Sequence, residues 1–203
     1  MKSRALRLLV CRNVFVFALL GCCLTATAGQ GVPRKRKNLT REDRGRWREV
    51  LRWPRGCDED YEGSYSETET YGGVEFHALG RGLYLVEVVC DGGGIQPSTL
   101  FMLYDESRPR RARLLKLKEF ESGERGAGRR LSYPPVRAMT KFDARRRELF
   151  LMGKYDAMGT CGLFVRYKFT ARGSPRAVEV REQTNCGDPE GSPDTSRWPR
   201  KRL

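Results

Sequence analysis

The chain has 203 residues, seven cysteines, a single histidine and a formal net charge of +14. That length suits one domain able to bury a core. No C-x-x-C pair occurs, which excludes zinc knuckles and thioredoxin-type redox motifs.

Residues 1–28 read as a signal peptide. Lys2, Arg4, Arg7 and Arg12 supply a positive start, and residues 14–24 form an apolar run broken by Gly21. Ala26-Thr27-Ala28 then gives the small-x-small pattern that signal peptidase accepts. The run is shorter than the roughly 20 apolar residues needed to span a bilayer, so the mature form is expected to have no transmembrane segment. An alternative lies within the same stretch. Leu19-Leu20-Gly21-Cys22 resembles a lipobox, which would lipidate Cys22 and anchor the protein to a membrane.

Cleavage after Ala28 removes four basic residues and no acid, so the net charge falls from +14 to +10. It also leaves four cysteines: Cys57, Cys90, Cys161 and Cys186. An even number in an exported chain implies disulfides, formed in the oxidising periplasm or outside the cell.

Residues 29–38 carry Arg34, Lys35, Arg36 and Lys37 and no core residue, and are predicted to be a flexible basic arm. A domain is expected over 39–186. Thr40 is the predicted N-cap of a helix, with Asp43 in the capping-box position. Trp47, Val50 and Leu51 share one face of it, and Pro54 ends it near Arg52.

From Val74 the pattern changes to strands. Residues 83–90 are apolar apart from Glu87, and 100–104 are wholly apolar, as in strands buried on both faces. Residues 113–118 and 177–181 alternate, as half-exposed strands do. The longest loop is expected over 121–135. Residues 187–203, with three prolines and little apolar content, are predicted to be a disordered tail.

Residues 76–85 echo 142–151 without a gap. Leu83-Tyr84-Leu85 matches Leu149-Phe150-Leu151, and each is followed by a glycine-containing loop and a Leu-Phe strand. The fold class is therefore mainly β. A single antiparallel β-rich domain is expected, built as a sandwich or as two meander units, with one short N-terminal helix and two disulfides.

Geometry selects the disulfide pairing. A bulge-free hairpin turning between Gly173 and Ser174 sets Cys161 directly opposite Cys186, within reach of a bridge. Cys57 and Cys90 pair by elimination.

Three elements carry a family resemblance. Trp53-Pro54 precedes Cys57 with acids after it. Cys90-Asp91-Gly92-Gly93-Gly94-Ile95-Gln96 is similar to a Cys-x-x-Gly-Ala-Tyr-Asn/Gln element. Lys154 through Gly159-Thr160-Cys161-Gly162 is similar to Lys-x-Arg-Gly-x-Gly-Asp-Cys-Gly. Over residues 39–186 the chain thus resembles the exported bacterial proteins grouped as domain-of-unknown-function family 1176. The resemblance implies export and a common fold, and no activity. The chain departs from the pattern at Ile95, Asp156, Ala157 and Thr160.

No catalytic constellation emerges. His77, the lone histidine, sits in a strand-like run and is read as structural, and no G-x-S-x-G elbow is present. Nothing singles out a pair of carboxylates. Gly92-Gly93-Gly94 joins strand to strand and reads as a hairpin or bulge rather than a phosphate loop. Asp58, Asp60, Glu62, Gly63, Ser66 and Glu69 match positions of an EF-hand-like loop, which makes calcium the one cofactor to test, with Asp58, Asp60, Glu62 and Glu69 as its metal ligands. The basic residues are scattered, without a nucleic-acid motif, so no specific nucleic-acid recognition is expected.

The expectation is a non-enzymatic envelope or secreted module that binds a polyanionic envelope component or a protein partner, with Arg34–Lys37 as anion contacts. The alternative is a carboxylate-dependent enzyme acting on cell-envelope polymers.

Overall fold

The structure, a computed structural model, describes residues 39–65, 71–92, 94–120, 129–130, 135–186 and 193–203. The expected leader and the basic arm Arg34–Lys37 lie outside the described residues.

Helix α1 (Arg41–Leu51) begins as the sequence predicts. The Thr40 hydroxyl accepts from the Asp43 amide and the Asp43 carboxylate accepts from the Thr40 amide, each at 3.2 Å. Trp47 and Leu51 point inward, and Arg52 closes the helix in the left-handed conformation at φ 57°.

A second helix, α2 (Gly56–Ser64), was not expected. Asp58 and Glu59 occupy its first turn, where acids offset the positive end of the helix dipole. Cys57 and Tyr61, one turn apart, are buried together. This helix occupies part of the stretch read as a calcium loop.

Four strands form the first meander: β1 (Val74–Gly80), β2 (Leu83–Asp91), β3 (Ser98–Asp105) and β4 (Arg113–Leu114), paired in that order. Short strands β5 (Lys118–Glu119) and β6 (Arg129–Arg130) pair with each other, while β7 (Val136–Arg137) pairs with the start of β3. Strands β8 (Met139–Asp143), β9 (Glu148–Lys154), β10 (Gly162–Phe169) and β11 (Pro175–Gln183) form the second meander. Every pairing is antiparallel. The internal echo thus coincides with two meanders of like connectivity. The alternating run 113–118 is not one strand: β4 ends at Leu114, the Leu115 amide still donates to the Phe101 carbonyl at 2.8 Å, and Leu115 and Leu117 are buried in the core.

Both faces of the first sheet are covered, which is why β2 and β3 are apolar throughout. On one face Val86, Val88, Leu100, Met102 and Tyr104 pack against Trp47, Leu51 and Trp53 of the helical layer. On the other, Leu85, Phe101 and Leu103 pack with Leu149, Leu151, Val165 and Phe169 of the second sheet. Each such side chain contributes about 1.5–3 kcal/mol of burial free energy before ordering costs.

Both expected disulfides form. Cys57–Cys90 ties α2 to β2 with Cα atoms 4.4 Å apart, and Cys161–Cys186 closes the β10–β11 hairpin at 4.9 Å. The hairpin register differs from the bulge-free one. Val165 faces Val180 rather than Glu182, and a bulge between Arg166 and Tyr167 shifts the pairs nearer the turn. Thr170 and Ser174 close that turn, with Gly173 at φ 78°. Cys186 lies beyond the last paired residue, Gln183, and still reaches Cys161.

The predicted disorder of the tail does not hold over residues 193–203. Trp198 is buried, and Arg200 forms a bridge with Arg181 on the free edge of β11. One tryptophan supplies the apolar anchor that the segment's composition conceals, and the pairing covers an exposed sheet edge. Residues 187–192 lie outside the described residues.

Candidate functional site

Three groups of polar side chains stand out, and the first is structural. Arg44 on α1 is buried; its Nε donates to Asp58 Oδ1 at 3.0 Å and its Nη1 to the Gly72 carbonyl at 3.0 Å. Trp53 Nε1 donates to the same Asp58 oxygen at 2.9 Å, and Arg48 Nε meets Asp58 Oδ2 at 2.8 Å. The Arg44 guanidinium carbon lies 3.9 Å from the Tyr61 ring centroid and 5.2 Å from that of Trp53. Burial lowers the Arg44 pKa from its ordinary value, against the opposing charge of Asp58.

Asp58 is therefore the acceptor that joins α1, α2 and the Trp53-Pro54 turn. Asp60 and Glu62 lie on the same helix, and Glu69 is outside the described residues. A helical Asp58–Glu62 cannot wrap a cation as an EF-hand loop does, and the Asp58 oxygens are already occupied.

The second group is an open groove of about 730 Å³ between α1 and α2. Arg41, Arg48 and Arg52 line it beside the faces of Trp53 and Tyr61, with Glu49 and Glu62 among its walls. Arg41 donates from Nη2 to the Tyr65 carbonyl at 3.0 Å, while its Nε is buried with no hydrogen-bond partner among the described residues.

The third group lies between the two sheets. Glu75 on β1 stands directly opposite Glu87 on β2, and His77 opposite Leu85, all on the face toward the second sheet. His77 Nε2 is 3.0 Å from Glu87 Oε2, and His77 Nδ1 is 4.0 Å from Glu75 Oε1. The Thr140 hydroxyl on β8 donates to Glu87 Oε1, and the Phe142 ring covers the imidazole with centroids 4.8 Å apart. Glu87 is buried whereas Glu75 is exposed.

A cavity of about 220 Å³ opens beside these acids, lined also by Tyr65, Tyr71 and Thr140. Burial, with the charges of Tyr65, Glu87 and Glu75 adding to it, pushes the Tyr71 hydroxyl up to about 12, so it stays a neutral phenol at physiological pH.

The sequence pointed to neither acid as one of a pair. The available signal was Glu87, the single charge in the otherwise apolar run 83–90. A hairpin turning at Gly80–Gly82 then sets residues 75 and 87 opposite each other.

The motif residues behind the family resemblance have structural roles. Gly92 passes so close to Tyr65 that an added Cβ would lie 2.8 Å from the ring. Gln96 bridges to the backbone of Lys154 in the second sheet. Asp156 accepts from the Thr160 hydroxyl and from the Gly159 and Thr160 amides, and the Thr160 hydrogen bond leads the effects that lower its pKa. Two of the departures from the pattern, Asp156 and Thr160, therefore satisfy one another.

Among the described residues no helix is long and apolar enough to cross a membrane. No family model, curated protein or solved structure matches the chain.

Proposed function

We propose that the chain is an exported, non-enzymatic envelope or secreted module, akin to family 1176, that holds anionic polymers in the groove between α1 and α2. The observation that carries this reading is the row Arg41, Arg48 and Arg52 on one groove wall beside Trp53 and Tyr61. Guanidinium forks meet phosphate and carboxylate oxygens two at a time. The basic arm Arg34–Lys37 directly precedes α1 in sequence and adds four further cations to the same end of the chain. Two disulfides suit an oxidising compartment, which supports export.

Binding to heparin and to anionic vesicles, measured from low to high salt, tests the reading. Affinity falls steeply with salt, because screening at physiological strength sets in at about 8 Å. Arg41→Ala with Arg52→Ala, and separately deletion of residues 29–38, each weaken binding several-fold. No binding at low salt overturns the proposal.

A carboxylate-dependent enzyme is the second reading, and the facing pair Glu75 and Glu87 favours it. The neighbouring cavity, about 220 Å³, is below the roughly 300–1,000 Å³ of ordinary ligand pockets, which weighs against a polymer substrate there. Release of soluble fragments from envelope glycans, lost in Glu87→Gln, would install the enzyme reading in place of the first.

A further inference from the structure

We propose that Glu75, His77 and Glu87 form a site for one divalent transition-metal ion, with zinc as its natural fit. The proposal is independent of the arginine groove and starts from an electrostatic oddity. Two carboxylates directly opposite each other on antiparallel strands repel and weaken a sheet. Here they are Glu75 and Glu87, and one of them is buried. A cation between them turns that repulsion into attraction, and His77 is placed to hold it.

The donor set specifies the class of ion. One imidazole nitrogen and one oxygen from each carboxylate lie within 4.8 Å of one another. With metal–ligand bonds of about 2.1 Å in tetrahedral geometry, two ligands of one ion are about 3.4 Å apart. Closure therefore requires a movement of up to about 1.5 Å, which the exposed Glu75 side chain supplies by a change of rotamer. A nitrogen with two carboxylates suits zinc, which takes three protein ligands and leaves a fourth position open. Calcium wants six to eight oxygens and gains little from imidazole.

The surroundings are those of a prepared site. Thr140 donates to Glu87 and so fixes the direction of its carboxylate. Phe142 stacks on His77 and holds the ring plane. The cavity beside Glu75 and Glu87 provides room for water or a small anion at the open position, with Tyr71 on its wall.

The chain's single histidine makes the test direct, because every imidazole C–H signal in proton NMR, Hδ2 and Hε1, belongs to His77. Zinc alone is added to the full chain with both disulfides formed. The His77 signal shifts and saturates at one ion per chain. Glu75→Gln, at an exposed position, weakens this response by about tenfold or more, and Thr140→Val weakens it by a similar factor. Binding elsewhere on the chain leaves the His77 signal unmoved. The proposal is overturned by a signal that ignores zinc at millimolar concentration, or by an unchanged zinc response in Glu75→Gln.

Discussion

The Gln96 side chain pairs with the Lys154 backbone as a neighbouring strand would. Its oxygen accepts from the Lys154 amide at 2.8 Å and its nitrogen donates to the Lys154 carbonyl at 3.3 Å, joining the loop after β2 to the end of β9. Substitution Gln96→Ala leaves both backbone groups without this partner, at a cost of about 1–3 kcal/mol. Denaturant midpoints read the loss. Gln96→Glu keeps the acceptor and loses the donor, so it falls between wild type and alanine. A Gln96→Ala protein as stable as wild type would mean that water replaces the bridge fully.

Arg44 is a buried cation with a defined set of acceptors, which makes its removal costly. Arg44→Met keeps most of the volume but leaves the Gly72 carbonyl without its donor and Asp58 without one of its two cationic partners, Trp53 and Arg48 remaining. Removing one partner of a buried pair costs about 3–5 kcal/mol. Arg44→Lys retains the charge but cannot reach Asp58 and Gly72 together, so it recovers part of the loss. Urea unfolding of the three proteins should rank them wild type, lysine, methionine. Equal stability of the lysine and wild-type proteins would show that charge alone matters at this position.

The sequence was informative where a local rule and the tertiary demand agree. The capping box fixed the start of α1, and double-sided burial wrote itself into β2 and β3 as continuous apolar runs. The pairing Cys161–Cys186 was legible even though the register behind it was displaced by a turn centred on Arg172, of which the bulge at Arg166–Tyr167 restores one residue. Helix α2 was hidden because its acids mimic a cation loop, and nothing local reveals that Arg44 and Trp53 claim Asp58. The tail was hidden for the opposite reason: one buried Trp198 in a Pro-rich stretch is invisible to any average over composition. The Glu75–His77–Glu87 cluster needed the register of β1 on β2, which single-residue chemistry does not supply.

Residues 193–203 should be integral to the stability of the second sheet. Lys201 pairs with the buried Glu182, and the Lys201 amide donates to the Val180 carbonyl at 2.9 Å. The Glu182 amide donates to the Pro199 carbonyl at 3.0 Å. Trp198→Ala loses a buried aromatic side chain, worth about 3–5 kcal/mol. Hydrogen exchange at the Glu182 amide speeds up with it, while amides of α1 stay protected. Unaltered protection at Glu182 would show that the segment merely rests on the edge strand.

Glu179 provides the pH prediction. It meets Arg181 at 2.7 Å, Arg166 at 2.9 Å and Arg200 at 3.4 Å on the outer face of the second sheet. Burial pushes its pKa upward, but the Arg181 hydrogen bond and the charges of Arg181, Arg166 and Arg200 outweigh this, and the net shift is downward. In acid the unfolded chain therefore takes up its proton first, near the ordinary glutamate value of about 4.3. The stabilisation is complete above that pH and is lost as pH falls through the lowered native value. Glu179→Gln removes this part of the acid response. Its stability deficit against wild type is largest at neutral pH and shrinks on acidification below about 4.3, as denaturant midpoints at both pH values record. Asp156 and Asp194 are also held low by local hydrogen bonds and remain in both proteins, so they cancel in the comparison. A deficit that stays constant with pH would mean that Glu179 acts by shape and hydrogen bonding, and that its charge among the three arginines contributes nothing.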